Sequence, residues 1–480
     1  MKPHPLKLPA HSQYFNLVPL KPNTKYPGTP LALFGDRAIC ANKENIAAVG
    51  WAGSMKTYSV MINSIIASRD AEECMVIADQ RDELYTATAQ TLIDSGYEVK
   101  RICLSPGAET SKWNPFNDDV FWADKEVPEA AADIAHRLLT HFRATDETND
   151  IDFAIQKTLL TAAILHVHRS EEPSNLTTIY KFLQNSIEEI KNEIYKSSDN
   201  CNKRDVLNWE PRERFNSFIE SSGNKTNSAR EELLRKLAFC NDDGIATLTT
   251  TSEVDLQHLL GYTVNPNPDY DPHMAITPNT DPASIPPPVL EKYHKCAYFI
   301  IEPRKYKAPE NALGTLFLQM AMDNIAKTDM MGFPKLDRPV HFILDEFASV
   351  LWRAPEIVQN ISLLEGKARF TVSIQGAGCL PKSSSLNKLL SVFQSYVFLS
   401  PQMFLPVEKG CERIVSEICM DGSDAAAVYE SFLRADNRFA LVWSRGCCAV
   451  VGNKAYAGQV YPEIAIPSIG DRLKALHDKQ

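Results

Sequence analysis

The segment Ala47–Ala67, AAVGWAGSMKTYSVMINSIIA, constrains this chain more than any other. Gly50, Gly53, Lys56 and Thr57 stand at the spacing of a phosphate-binding loop, with Met55 where the motif G-x-x-x-x-G-K-[ST] has glycine. The motif needs glycines because backbone N–H groups must close around phosphate oxygens. The lysine then reaches the β/γ-phosphates, and the Ser/Thr hydroxyl sits on Mg²⁺. A side chain at Met55 adds bulk where the backbone meets phosphate, and a left-handed conformation there costs about 1–2 kcal/mol. Losing a few kcal/mol of transition-state contact slows hydrolysis by roughly 10²-fold or more. Nucleotide binding survives such a loss, because Lys56 and the other amides remain.

The flanks supply the strand–loop–helix context that such a loop requires. Ile46–Val49 is a short apolar strand, and Thr57–Ser68 has helical spacing with Val60, Ile62, Ile65 and Ile66 apolar. Cys74–Asp79 and Glu98–Leu104 read as strands around a helix at Glu83–Ser95, which predicts an α/β fold with a mainly parallel sheet. From Pro128 to Leu260 the pattern turns helical, with helices expected at Ala130–Phe142, Phe153–His168, Leu176–Tyr195 and Ala229–Cys240. Polar runs at Lys196–Asn208 and Ser221–Ser228 interrupt them. Gly261–Pro288 is proline-rich and reads as a linker. Strands then resume at Tyr298–Glu302, His341–Phe347, Phe370–Gln375 and Tyr396–Leu399, with a helix at Leu313–Ala326. A hairpin follows, Phe439–Ser444 and Cys448–Val451 around Arg445-Gly446-Cys447. The expected organisation is an extended arm at 1–33, a nucleotide-binding domain at 34–127 and 261–480, and an inserted all-α domain at 128–260.

His341–Phe347, HFILDEF, brings Asp345 and Glu346 to the C-terminal end of a strand, where open parallel sheets bind ligands. An aspartate there can hold Mg²⁺, and the adjacent glutamate can orient and deprotonate an attacking water. Two neighbouring carboxylates repel unless a cation or water separates them, which suits a metal site better than a dry core. The blander alternative is a strand ending in a solvated turn. Asp79 and Glu83 read as a Mg²⁺ or water contact, or as a helix cap, with the cap favoured. Trp113 reads as a packed anchor rather than a base-stacking platform. Arg304, Lys305 and Lys307 offer a short basic run for nucleic acid, or simply a solvated face.

The net charge of −10 argues against a chain-wide electrostatic affinity for nucleic acid, though not against a local basic path. No run approaches the roughly 18 apolar residues of a membrane span, and the first residues lack the apolar stretch of a secretory signal, so a cytoplasmic protein is expected. The eleven cysteines show no C-x-x-C spacing and read as reduced thiols. His166 and His168 point to different helix faces, which disfavours a shared metal.

Taken in order, these segments resemble the coupling ATPases of type IV secretion and bacterial conjugation, the TraG/TraD-like group related to FtsK/HerA DNA pumps. AAVGWAGSMKT is similar to the family's strand and loop, and CMVIADQRDELY with GYEVKRICLSPGAETSKWNPF to its acidic and W-N-P elements. IDFAIQKTLLTAAILHV resembles the first long helix of its all-α domain. HFILDEFASV and LLEGKARFTVSIQGAGCL resemble its acidic strand and following glutamine unit. The resemblance implies a RecA-like core, a six-subunit ring, ATP and Mg²⁺ at subunit interfaces, and DNA in a central channel. By position it implies a nucleotide cradle of Gly50, Gly53, Ser54, Met55, Lys56 and Thr57. It further implies a metal held by Thr57 and Asp345, water activation by Glu346, and γ-phosphate sensing by Gln375. Arg369 or Lys367 would be an arginine-finger candidate toward a neighbouring subunit. Family members commonly carry N-terminal membrane helices, so this chain is expected to be a soluble variant or to rely on a membrane-anchor partner.

The preferred function is a coupling ATPase that moves or recruits DNA, single-stranded or bound to a relaxase, to a secretion channel. Two alternatives remain open at this level: a nucleotide-binding adaptor that docks protein substrates with weak hydrolysis, and a DNA translocase unrelated to secretion.

Overall fold

The computed structural model describes residues 15–21, 24–42, 44–105, 107–117, 127–146, 150–170, 173–199, 206–265, 289–292, 295–302, 308–326, 338–375, 391–399, 439–444, 448–461 and 463–464. Residues 1–14 of the expected arm, most of the proline-rich linker, the basic run Arg304–Lys307, the stretch after Gln375 and the Arg445–Cys447 turn lie outside them.

One sheet of twelve strands organises the molecule. Its parallel block comprises β4 (Ile46–Val49), β5 (Met75–Asp79), β6 (Glu98–Cys103), β9 (Cys296–Ile301), β10 (Val340–Leu344), β11 (Ala368–Ile374) and β12 (Ser395–Leu399). Their order is β12-β4-β11-β10-β5-β9-β6, every pair parallel. Alternate residues enter opposite cores. Val76 and Ala78 pack on the face carrying the helical insertion, while Met75 and Ile77 pack against α1 (Ile62–Ala71) and α2 (Glu83–Asp94). Burial on both faces accounts for the apolar runs of the inner strands β4, β5, β9 and β10, whereas β6, at the end of the sheet, is EVKRIC and mostly half-buried.

The sheet continues from β12 through antiparallel β13 (Phe439–Ser444), β14 (Cys448–Lys454), β2 (Pro30–Phe34), β3 (Arg37–Ala41) and β1 (Phe15–Pro19). Thus the segment expected as an arm contributes β1 and most of β2 to the sheet. Its prolines hid this, yet Pro19 ends β1 and Pro30 begins β2, where a missing N–H is tolerated.

Between β6 and β9 lie seven α-helices among the described residues: α3 (Val127–Asp146), α4 (Asp150–Arg169), α5 (Leu176–Gln184), α6 (Ile187–Asp199), α7 (Val206–Ser222), α8 (Thr226–Leu237) and α9 (Asp243–Leu248). A small hairpin, β7 (Tyr262–Asn265) with β8 (Val289–Lys292), follows them. The helices share one continuous core with the sheet face. Trp113 anchors that junction, buried edge-on against Phe317 at 4.9 Å. The expected helix Leu176–Tyr195 is two helices, split where Ser186 and Glu189 form a reciprocal capping box. The polar run Lys196–Asn208 is largely helical at its ends, because α6 reaches Asp199 and α7 begins at Val206. The remaining helices among the described residues are α10 (Asn311–Ala326), α11 (Phe347–Arg353), α12 (Ile357–Leu363) and the single turn α13 (Ala457–Val460). No helix among the described residues is long and apolar enough to cross a membrane.

Candidate functional site: a phosphate loop facing an acidic strand end

The loop leaves β4 at the C-terminal edge of the parallel block. Gly50 is required by crowding, since a Cβ there would lie 2.6 Å from Ser54 Oγ and 3.0 Å from the Leu399 carbonyl. Gly53 takes φ +79°. Met55 also sits in the left-handed region, at φ 71°, the strained conformation that the sequence position foretells. Its side chain packs at the rim of the α1/α2 core, which offsets part of that strain. The chain then passes through one π-helical turn, Thr57–Met61, before α1, a distortion common at functional sites. The Lys56 ammonium is buried and donates to the carbonyls of Gly50 and, at 3.1 Å, Trp51.

Asp345 and Glu346 follow β10, two strands from β4. Thr57 Oγ1 donates to Asp345 Oδ2 at 3.3 Å, across 288 positions of sequence. Ser373 Oγ donates to Asp345 Oδ1 at 2.5 Å and accepts the Glu346 N–H at 2.9 Å. Glu346 has φ 54° and begins α11. Gln375, one residue past β11, donates through Nε2 to both Glu346 carboxylate oxygens, at 2.5 and 2.6 Å. The cradle residues, Thr57, Asp345, Glu346 and Gln375 therefore converge at one sheet edge.

Asp79 ends β5 beside them. It is wholly buried and accepts from the amides of Arg81, Glu83 and Tyr85, so it caps α2 as expected. Burial pushes its carboxyl up to about 7, and the charge of Asp345 adds to this, while the Tyr85 amide opposes it. Two cations escaped the sequence reading. Arg81, half-exposed, brings Nη2 to 3.9 Å from Glu346 Oε1. Lys454, at the end of β14 and buried, donates to the Ser54 carbonyl at 3.1 Å.

Arg369 and Lys367 are not brought to this edge. Both precede or begin β11, and in a parallel block that is the opposite end of the strands. Arg369 is buried, with Nε and Nη2 on Glu73 Oε2 at 2.9 and 2.6 Å and Nη2 on Ser68 Oγ at 3.0 Å. His341 joins the same cluster through Ser68 and Thr371, and burial with the Arg369 charge holds it well below the usual imidazole range. Lys367 donates to the Ala326 carbonyl at 2.9 Å. Arg369 is thus a buried structural ion pair in this chain, not a solvated charge extended toward a neighbour.

The residues present fit a hard divalent cation, because the Thr57 hydroxyl and Asp345 carboxylate place oxygen donors together beside the loop. A loop of this kind after the first parallel strand, faced by an acidic strand end, defines the P-loop NTPase class with a RecA-like α/β core. The profile of the family described as type IV secretory system conjugative DNA transfer matches residues 23–264, just over half of the 480-residue chain. The protein belongs to that family. No protein of curated function matches it. Among solved structures it is similar to the bacterial conjugative coupling protein TrwBΔN70 in a trigonal form with sulphate, at 12% identity and TM-score 0.56, covering 92% of this chain and 94% of that one. It is also similar to the plasmid coupling protein TrwB in complex with ADP and Mg²⁺, at 12% identity and TM-score 0.54, covering 94% of each chain. VirB4 of Thermoanaerobacter pseudethanolicus matches at 12% identity and TM-score 0.52, covering 92% of this chain and 99% of that one. At such identities these likenesses establish the shared fold.

Proposed function

We propose that the protein is a coupling ATPase of conjugative DNA transfer or type IV secretion, which binds ATP with Mg²⁺ and delivers DNA to a secretion channel. The observation that carries this reading is the meeting of Thr57 with Asp345, which joins loop and acidic strand into one site. The TrwB structures in complex with ADP and Mg²⁺ and with a non-hydrolysable ATP analogue support the same ligands here. Lys56 exchanges its loop carbonyls for β/γ-phosphate oxygens, and the cradle amides complete the phosphate contacts. Thr57 and Asp345 would hold Mg²⁺, which would supply neutralisation of phosphate charge. Glu346 accepts the proton of the attacking water, and Gln375 fixes the orientation of that carboxylate and senses the γ-phosphate side of the site. Assembly into a homo-hexamer, with single-stranded or relaxase-bound DNA as cargo and a separate membrane anchor, completes the proposal. Sedimentation velocity with ATP, Mg²⁺ and single-stranded DNA tests it: nucleotide-dependent rings that carry DNA are expected. Protein that neither binds nucleotide nor forms rings would remove the reading.

A second reading rests on one observation, the φ of 71° at Met55. A strained loop suits an adaptor that binds nucleotide and turns it over slowly. Met55→Gly separates the two, since a large gain in turnover would mark a site tuned down by this residue.

A further inference from the structure

Lys454 lies 400 positions from Ser54, yet its ammonium meets the phosphate loop. It closes β14, where Asn453 and Lys454 pair with Leu33 and Ala32 of β2. The next residue is fixed as well, because the buried Asn63 of α1 donates to the Ala455 carbonyl at 2.7 Å and to the Pro30 carbonyl at 3.0 Å. The end of β14 is therefore tied to the helix that follows the loop and, through Lys454, to the loop itself. An ammonium taken out of water is unfavourable unless it is hydrogen-bonded, so packing alone would be served better by an apolar residue.

The acceptor matters more than the donor. The Ser54 carbonyl and the Met55 N–H belong to one planar trans peptide and point in opposite directions. Holding the carbonyl toward Lys454 therefore fixes where the Met55 amide points. That peptide leads into the one loop residue that should be glycine, and Met55 pays for its φ of 71° with steric strain that an unrestrained loop would relax. We propose that Lys454 is a positioning residue of the nucleotide site, holding the Ser54–Met55 peptide in the orientation a phosphate needs although residue 55 carries a side chain. The inference rests on the nucleotide-binding reading, and it predicts a coupling between Lys454 and Met55 that a merely structural lysine would not have.

The test uses the full chain with Lys454→Met and Lys454→Arg, each in the natural and the Met55→Gly background. Two readouts are taken: the Kd for ADP with Mg²⁺, and amide hydrogen exchange of residues 50–57. Lys454→Met should weaken ADP binding by about tenfold, as expected for loss of one charge-assisted hydrogen bond, and speed exchange of the loop while β2 and α1 exchange as before. Lys454→Arg should restore most of both. In the Met55→Gly background the loss of affinity should shrink to under about threefold, since glycine takes positive φ without strain. Unchanged affinity and exchange in Lys454→Met would overturn the proposal, as would an equal loss in both backgrounds. Should Lys454→Met fail to fold, the Arg variant decides, with retained loop protection in support and wild-type folding with a deprotected loop against. A natural protein that binds no ADP would instead strike at the nucleotide-binding reading, and loop exchange would still decide the role of Lys454.

Discussion

The two edges of the parallel block carry similar kinds of residue and use them differently. At the C-terminal edge, Met55, Asp82 and Glu346 all hold positive φ, and the carboxylates of Asp79, Asp345 and Glu346 gather there, the charge of Asp345 bearing on Asp79. At the N-terminal edge, Arg369, Glu73, Ser68 and His341 form a buried cluster closed on itself, and the positive-φ non-glycine residue nearby, Glu72, is an ordinary left-handed end of α1. Strain and crowded charge gather where a ligand can compensate them, whereas the other edge neutralises its charges internally. Changes at the first edge should therefore appear in nucleotide chemistry, and changes at the second in stability.

The sharpest separation is expected from Glu346→Gln. Turnover should fall by about 10²–10⁴-fold with ADP affinity retained, because only the proton acceptor is lost. Steady-state kinetics beside equilibrium binding would check this, and a parallel loss of affinity would blur the contrast. Arg369→Met should do the reverse. It leaves Glu73 buried without its partner and should cost about 3–5 kcal/mol in denaturant unfolding, with ADP affinity of the folded fraction unchanged. An arginine finger at this position would instead lose turnover with stability intact.

A third difference, between the C-terminal edge and the helical insertion, concerns pH. His141 and His166 are depressed to about 3 and about 4, in each case by burial first and then by a neighbouring arginine. Their folded pKa values lie below the unfolded value, so the stability they contribute is present above about 6.5 and is lost as pH falls toward 4 and 3. Asp79 has the opposite sign: raised to about 7, it loses stability as pH rises through about 4 to 7. Replacing His141 with Phe should flatten the acid limb of urea midpoints below pH 6.5 by up to about 1.4 kcal/mol per pH unit. An unaltered limb would mean that His141 is not among the groups titrating there. The smallest stability effect is expected from Met55→Gly. Relief of strain opposes the added chain entropy and lost packing, so unfolding should shift by less than about 1 kcal/mol, while the change in turnover decides between the coupling ATPase and the adaptor.

Much of the site was legible because its parts are local. A strand, a glycine-bearing loop and a helix are adjacent in sequence, and the apolar run of β10 ends visibly in Asp345 and Glu346. Gln375 was legible for the same reason, standing just past a strand. Arg369 was misplaced although the signal was present: it opens β11, and parallel strands put their beginnings opposite the ligand edge. Ser373, Arg81 and Lys454 were not legible, since their roles depend on which strands become neighbours. In the helical insertion, α7 was missed because Pro211 and a polar surface obscure a face defined by Phe215 and Phe218. The antiparallel β1 and β2 were hidden by prolines that fall at strand ends.

The central claim is that Lys56 and Glu346 belong to one working ATP site in a DNA-coupled protein. ATP turnover by the purified full chain, with and without single- and double-stranded DNA and beside Lys56→Ala, tests it most directly. Turnover that DNA stimulates and Lys56→Ala abolishes is the expected result. ATP bound without turnover under any DNA condition would contradict it and leave a nucleotide-binding adaptor in its place.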